Sequence, residues 1–202
     1  SLNFMEEKSD SISFTLKNNI TSGEALKFAL VLSNGSVTYT DTFTKYYGKI
    51  NIAFVDNCNT LNNWLGDWGV TSSSFYSSPS SITDSPNDDY QPFDISISQV
   101  KNLINLKNAK RASLTFWAKW AIETYYDYAQ VEVSEDNGNS WMPLCGKYTI
   151  EGTADQDPNN PVYQGWRESW VKEEIILDAY TGKNILIRFK LIADDAGGAD
   201  GF

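Results

Sequence analysis

Residues 131–141 read VEVSEDNGNSW. Val131 and Val133 alternate with Glu132 and Ser134, the period of a strand that turns one face to a core. The strand runs into Ser134-x-Asp136-x-Gly138-x-Ser140-Trp141. In that spacing Asp136 can accept hydrogen bonds from amides across a turn. Asn137-Gly138 is a turn dipeptide, with Gly138 supplying positive φ. Trp141 is placed to pack back under the hairpin. The stretch therefore predicts an antiparallel hairpin with a fixed tip, and every residue in it has a structural task.

The same period extends outward. In SLTFWAKWAIE (113–123), Leu114, Phe116 and Ala118 alternate with Thr115, Trp117 and Lys119. In SWVKEEIILDAYTGKNILIRFKLIAD (169–194), two strands are joined by a turn at Gly182. Ile185, Ile187, Phe189 and Leu191 share one face of the second; Leu186, Arg188, Lys190 and Ile192 share the other. Val131 and Val133 are expected inward, and Gln130 and Glu132 outward. One helical turn is expected near SQVKNL (98–103). Two long excursions, 71–93 and about 143–165, are rich in Ser, Pro, Asp, Asn and Gly, and are read as ordered loops. Many antiparallel strands with long loops predict an all-β protein, a jelly-roll β-sandwich over residues 50–202. Before it, SISFTLKN (11–18) alternates, and Asn34-Gly35 separates two β-rich runs. Residues 1–49 are therefore read as a small β module.

Composition narrows the function. The chain has 202 residues, 16 basic and 26 acidic, for a net charge of -10. Such a chain repels phosphate backbones and anionic membrane surfaces, so nucleic acid is not an expected partner. There is no histidine, which removes Ser-His-Asp and Cys-His catalysis and every zinc site built on imidazole. Two cysteines, Cys58 and Cys145, are open to one disulfide or two free thiols. Free thiols are the expectation, since nothing in the sequence makes them neighbours. No apolar run is long enough for a membrane helix, and no signal peptide opens the sequence. The ending LIADDAGGADGF reads as the break point of a longer chain.

Three chemistries have candidate residues. The Ser-x-Asp-x-Gly-x-Ser-Trp pattern is the Asp box of sialidases and other secreted glycan-handling proteins. A sialidase needs several boxes and an arginine cluster, whereas this chain has one box and only Arg111, Arg167 and Arg188. The box is therefore read as structural. Asp84, Asp88 and Asp89 crowd one irregular loop, Asp194, Asp195 and Asp200 close the chain, and Asp56 precedes a polar loop. Carboxylates and loop carbonyls suit Ca2+. Asp56, Asp84, Asp88, Asp89 and Asp200 are the candidate metal ligands; solvated surface acids are the competing reading. Glu123, Glu132 and Glu135 are weighed as a glycosidase pair and set aside. Among the aromatic residues, Trp117, Trp120 and Tyr125, with Tyr126 and Tyr128, form a candidate face for sugar or protein. Packing beneath the loops is the alternative.

The order Phe116-Trp117, Tyr126-Asp127, Val131 to Ser134, Asp136 to Trp141, Leu177 to Lys183, Arg188-Phe189, Asp194 and Asp200-Gly201 resembles a known pattern. So does ITDSPNDDY (82–90) upstream. Together they resemble the MAM-like jelly-roll accessory domain of secreted bacterial metallopeptidases, of the immune-inhibitor-A type and of zinc carboxypeptidases with long C-terminal regions. The resemblance covers residues 51–202. The family continues past Asp-Gly into a strand with paired acids, where this sequence stops. The resemblance implies a non-catalytic segment of a secreted or cell-surface bacterial protein. Its partner would be the catalytic domain of the same chain, which holds any zinc. A protein or glycan ligand is a further expectation. A carbohydrate-binding module of a secreted glycan-active protein is the alternative.

Overall fold

The computed structural model describes residues 11–202, and the chain divides into two compact units between Asn51 and Ile52. The first ten residues of the expected N-terminal module lie outside the described residues. In the first unit, β1 (Ala25–Ser33) and β2 (Thr38–Tyr46) pair antiparallel without a slip, from Ala25 opposite Tyr46 to Ser33 opposite Thr38. The Asn34-Gly35 signal makes their turn: Asn34 Oδ1 accepts hydrogen bonds from the amides of Ser36 (3.1 Å) and Val37 (2.8 Å). The strand expected at 11–18 does not form. Its alternation finds one partner, the Phe14 ring tilted against Phe28 at 5.2 Å, while Ile12 stays exposed.

The second unit continues with β3 (Trp64–Gly66), β4 (Gly69–Thr71), β5 (Ser81–Thr83), β6 (Ile95–Val100), β7 (Ile104–Asn105) and β8 (Ser113–Ile122). It is completed by β9 (Tyr128–Ser134), β10 (Met142–Pro143), β11 (Ile150–Glu151), β12 (Pro161–Val162), β13 (Gly165–Ile176) and β14 (Asn184–Ile192). The largest sheet has the order β10-β9-β14-β6-β3, with β7 also on β14; β13 pairs with β8, and β4–β5 and β11–β12 are two short ribbons. All pairings between named strands are antiparallel. Among the described residues there is no α-helix, only a 3-10 turn at Asp178–Tyr180. The protein is all-β, and its two larger sheets face each other across one core. The expected turn at SQVKNL is instead the end of β6, because Ile95, Ile97 and the residues between them continue the strand alternation. The turn at Gly182 does not close a hairpin: it carries the chain from the β13 sheet to the β14 sheet.

Parity along the strands decides burial. Val131, Val133, Ile185, Ile187 and Leu191 are all buried. Gln130 and Glu132 point away from that core as expected, yet both are buried. Long loops cover them, because a buried polar group needs a partner. Gln130 Nε2 donates to Asp157 Oδ2 (2.8 Å), and Glu132 is held by Arg188 Nε. Trp141 lies over the Arg188 guanidinium at 4.3 Å. The hairpin tip is built as its spacing requires. Ser140 N donates to Asp136 Oδ1 (2.9 Å), Gly138 N donates to Ser134 Oγ (2.8 Å), and Gly138 takes φ +89. Hydrogen bonds from the Ser140 hydroxyl and amide, then from Ser134, hold the Asp136 carboxyl down at about 2.

Phe202 joins the core from the end of the chain. Its ring meets Tyr163 at 5.1 Å and stacks on Trp120 at 5.8 Å. Ala121 and Gly201 exchange backbone hydrogen bonds, so this segment lies along β8. Phe202 N donates to Asp84 Oδ1 (2.6 Å), while Asp84 Oδ2 is buried without a partner. Burial pushes the Asp84 carboxyl up to about 7, against the amide hydrogen bonds that lower it and with help from the nearby Asp200 charge. A second buried carboxyl group, Glu173, accepts from Lys147 N (2.7 Å), Tyr148 N (3.0 Å), Glu174 N (2.7 Å) and the Tyr163 hydroxyl (3.0 Å). It thereby pins the 145–149 loop to β13.

Two outcomes follow from these buried acids. Asp84 holds its proton more tightly in the folded than in the unfolded chain. Its contribution is therefore most favourable below the ordinary aspartate value of 3.8 and is lost as pH rises toward about 7. Asp84→Asn keeps an oxygen for Phe202 N and removes the titration. Denaturant unfolding from pH 4 to 8 should show the parent losing stability relative to this variant; parallel curves would refute the assignment. Glu173→Ala strands three amides and a phenol, and should cost about 3 kcal/mol in urea unfolding. Glu173→Gln, which keeps an acceptor, should cost visibly less.

Candidate functional sites: a carboxyl cluster and an aromatic ledge

At one end of the second unit, β8 stops, β9 starts and β14 stops. Each junction carries an acid: Glu123 after β8, Asp127 before β9 and Asp194 just beyond β14. One oxygen from each lies within 4.8 Å of the others. Asp127 is fully buried. Its Oδ2 accepts from the Tyr90 hydroxyl (2.7 Å) and its Oδ1 from Asp194 N (2.7 Å). The Tyr90 oxygen in turn accepts from Glu123 N (3.0 Å). Burial, then the bond to Asp127, raises the Tyr90 hydroxyl above its usual range. Glu123 Oε2 is buried and has no partner. Desolvation raises the Glu123 carboxyl, and the Asp127 and Asp194 charges raise it further. Gly197, at φ +77, closes over it: a Cβ there would lie 2.2 Å from Glu123 Oε2. Converging carboxyl oxygens with an orphaned acceptor fit a hard cation such as Ca2+.

Of the five acids singled out as metal ligands, only Asp84 and Asp200 come near each other. Asp56 is used within its own loop, accepting from Cys58 N (2.6 Å) and Asn63 Nδ2 (2.6 Å). Asp84 holds Phe202 N, and Asp200 pairs with Lys119 Nζ at 3.3 Å. Asp88 and Asp89 are exposed. Among the described residues, the one group of three acids close enough for a metal is Glu123, Asp127 and Asp194. The missed signal was position: an acid directly flanking an apolar strand is held at the sheet end, whereas acids clustered in a loop can point to solvent. Of the acids weighed as a glycosidase pair, Glu132 is bound to Arg188 and Glu135 to Lys183, while Glu123 stands in the carboxyl cluster.

The aromatic candidates also separate. Trp117 is 40% exposed on the outer face of β8. Tyr76, from the loop between β4 and β5, stacks on it at 3.7 Å and 10°, with Trp170 of β13 at 6.5 Å from Tyr76. Trp166, paired with Ala121, is 68% exposed on the same face. These rings form a ledge. Trp120 does not belong to it: it is 5% exposed, stacked on Phe202, with Nε1 donating to Gln164 O (3.0 Å). Its parity with Phe116 and Ala118 puts it in the core. Tyr125 is exposed, but stands in the β8–β9 loop at φ +78, its carbonyl accepting from the Thr153 hydroxyl. Cys58 and Cys145 are both free, and burial pushes the Cys58 thiol up to about 11.

Among the described residues, no helix is long and apolar enough to cross a membrane. No curated protein matches the chain. The family model for the immune inhibitor A-like MAM domain matches residues 94–202, more than half of the sequence. That span takes in β6 to β14, the hairpin tip, Trp117 and all three acids of the cluster. The chain thus belongs to the immune inhibitor A-like MAM family, the MAM-like accessory domains of immune-inhibitor-A-type metallopeptidases.

Proposed function

We propose that the chain is a non-catalytic part of a secreted bacterial metallopeptidase of the carboxypeptidase kind, which steadies and targets the catalytic domain of the same polypeptide. Family membership supports the accessory role. The targeting role rests on the Tyr76–Trp117–Trp170 ledge, since aromatic rings left on a sheet face suit the apolar faces of sugars or a protein surface. We further propose a jelly-roll winding for the second unit. Ca2+ would be held by Glu123, Asp127 and Asp194. The orphaned Glu123 Oε2 supports this, because a buried acceptor without a donor is costly. The ion would supply positive charge at the loop end and no reaction step.

Three measurements test this reading. Glycan-array or surface-protein binding should be lost on Trp117→Ala and on Tyr76→Ala, with the fold unchanged by circular dichroism. Binding that survives both would remove the ledge as the targeting surface. Added Ca2+ at about a hundredfold over its dissociation constant should raise the melting midpoint by about 5 °C. Glu123→Gln and Asp127→Asn should each erase that rise, and an unchanged parent midpoint with chelator would argue against the ion. Peptide and glycoside turnover by the chain alone should stay at background.

A further inference from the structure

We propose that the apolar face of the β1–β2 ribbon docks on the same face of a second copy of this chain, forming a two-fold dimer. The register sorts the ribbon into two unlike faces. Leu26, Phe28, Leu30 and Leu32 of β1 lie opposite Lys45, Phe43, Asp41 and Tyr39 of β2. The other face carries Thr38, Thr40, Thr42 and Thr44 beside Lys27, with Val31 and Tyr46 as its only large apolar side chains. On the apolar face the Phe28 and Phe43 rings stack at 5.2 Å, but Leu32 is 56%, Tyr39 60% and Phe43 46% exposed. A two-stranded ribbon is marginal in water, and gains its stability when such a face is covered.

Charge selects the occupant. On that face Asp41 and Lys45 stand two residues either side of Phe43 on one strand. A two-fold axis through the Phe43 position sets Asp41 of each copy against Lys45 of the other, twice. A two-fold axis along the strands would instead lay β2 over β1 of the other copy and set Asp41 and Lys45 on Leu30 and Leu26. Asp41 Oδ1 already accepts from Thr42 N (2.8 Å), which fixes its carboxylate on the strand. The pairing is self-complementary in the sense a closed two-fold interface requires. Nine residues of ribbon span roughly 30 Å by about 10 Å across two strands, or about 300 Å2 of footprint per copy. That lies below the roughly 800 Å2 per partner of a standard interface, so the dimer is reversible and concentration-dependent.

Sedimentation equilibrium of the 202-residue chain over a concentration series tests this. The weight-average mass should climb from one chain toward two. Asp41→Lys alone and Lys45→Asp alone should each weaken the dimer at least about tenfold, and Phe43→Asp should abolish it. The double exchange Asp41→Lys with Lys45→Asp should return the parent affinity within about threefold, an outcome that unfolding of the ribbon would not give. A one-chain mass at every concentration, as expected if another protein covers the face, overturns the proposal. So does a double exchange no stronger than the single ones.

Discussion

The buried Asp127 carboxyl group holds the loop end of the second unit together. It takes the Tyr90 hydroxyl on one oxygen and the Asp194 amide on the other, while its backbone carbonyl accepts from Gln156 Nε2 at 2.6 Å. Four chain segments distant in sequence therefore meet at one residue: the 90 loop, the β8–β9 loop, the end of β14 and the 150s loop. A buried carboxyl group must have its lone pairs satisfied, so each of these segments is fixed in place. The same clamp brings Glu123 and Asp194 beside Asp127, which creates an electrostatic problem. Three acids at that separation favour protonation or a counter-ion. Burial raises the Glu123 carboxyl most, and the Asp127 and Asp194 charges add to it.

Most of the second unit was legible because period two is enforced by burial. β8 and β14 are long strands with one face in the core, β9 carries the same apolar alternation, and a one-residue slip would move the apolar set to the wrong face. The hairpin at 134–141 was legible for a different reason. Its side chains bond locally, so its geometry needs no partner from elsewhere. What the sequence hid was long-range or competitive. The pairing of β13 with β8, and of β14 with β9 and β6, depends on which edge each strand meets after Gly182. The coverage of Gln130 and Glu132 depends on a loop that folds back over the outer face. Alternation at 11–18 was met by the Phe14–Phe28 ring contact rather than by strand pairing, and stayed irregular.

The site was less legible than the fold. Grouping Trp117 with Trp120 by residue type overrode their opposite parity, though parity gave the correct burial for both. The Asp-rich loop at 84–89 drew attention by composition, whereas the acids that converge are spread over seventy or so positions and meet only through β8, β9 and β14. Tyr76 could not be assigned to the ledge from sequence, because its loop reaches Trp117 across about forty residues.

The two units also divide the electrostatics of the chain. Residues 52–202 hold 21 acidic and 11 basic side chains, a strongly anionic surface that repels its own copies. Residues 1–51 are balanced, with five acidic and five basic side chains. Self-association is therefore least opposed at the ribbon, where the exposed apolar side chains and the Asp41–Lys45 symmetry also lie. Net charge, as well as exposed apolar area, therefore favours the ribbon over the anionic unit for like-with-like contact.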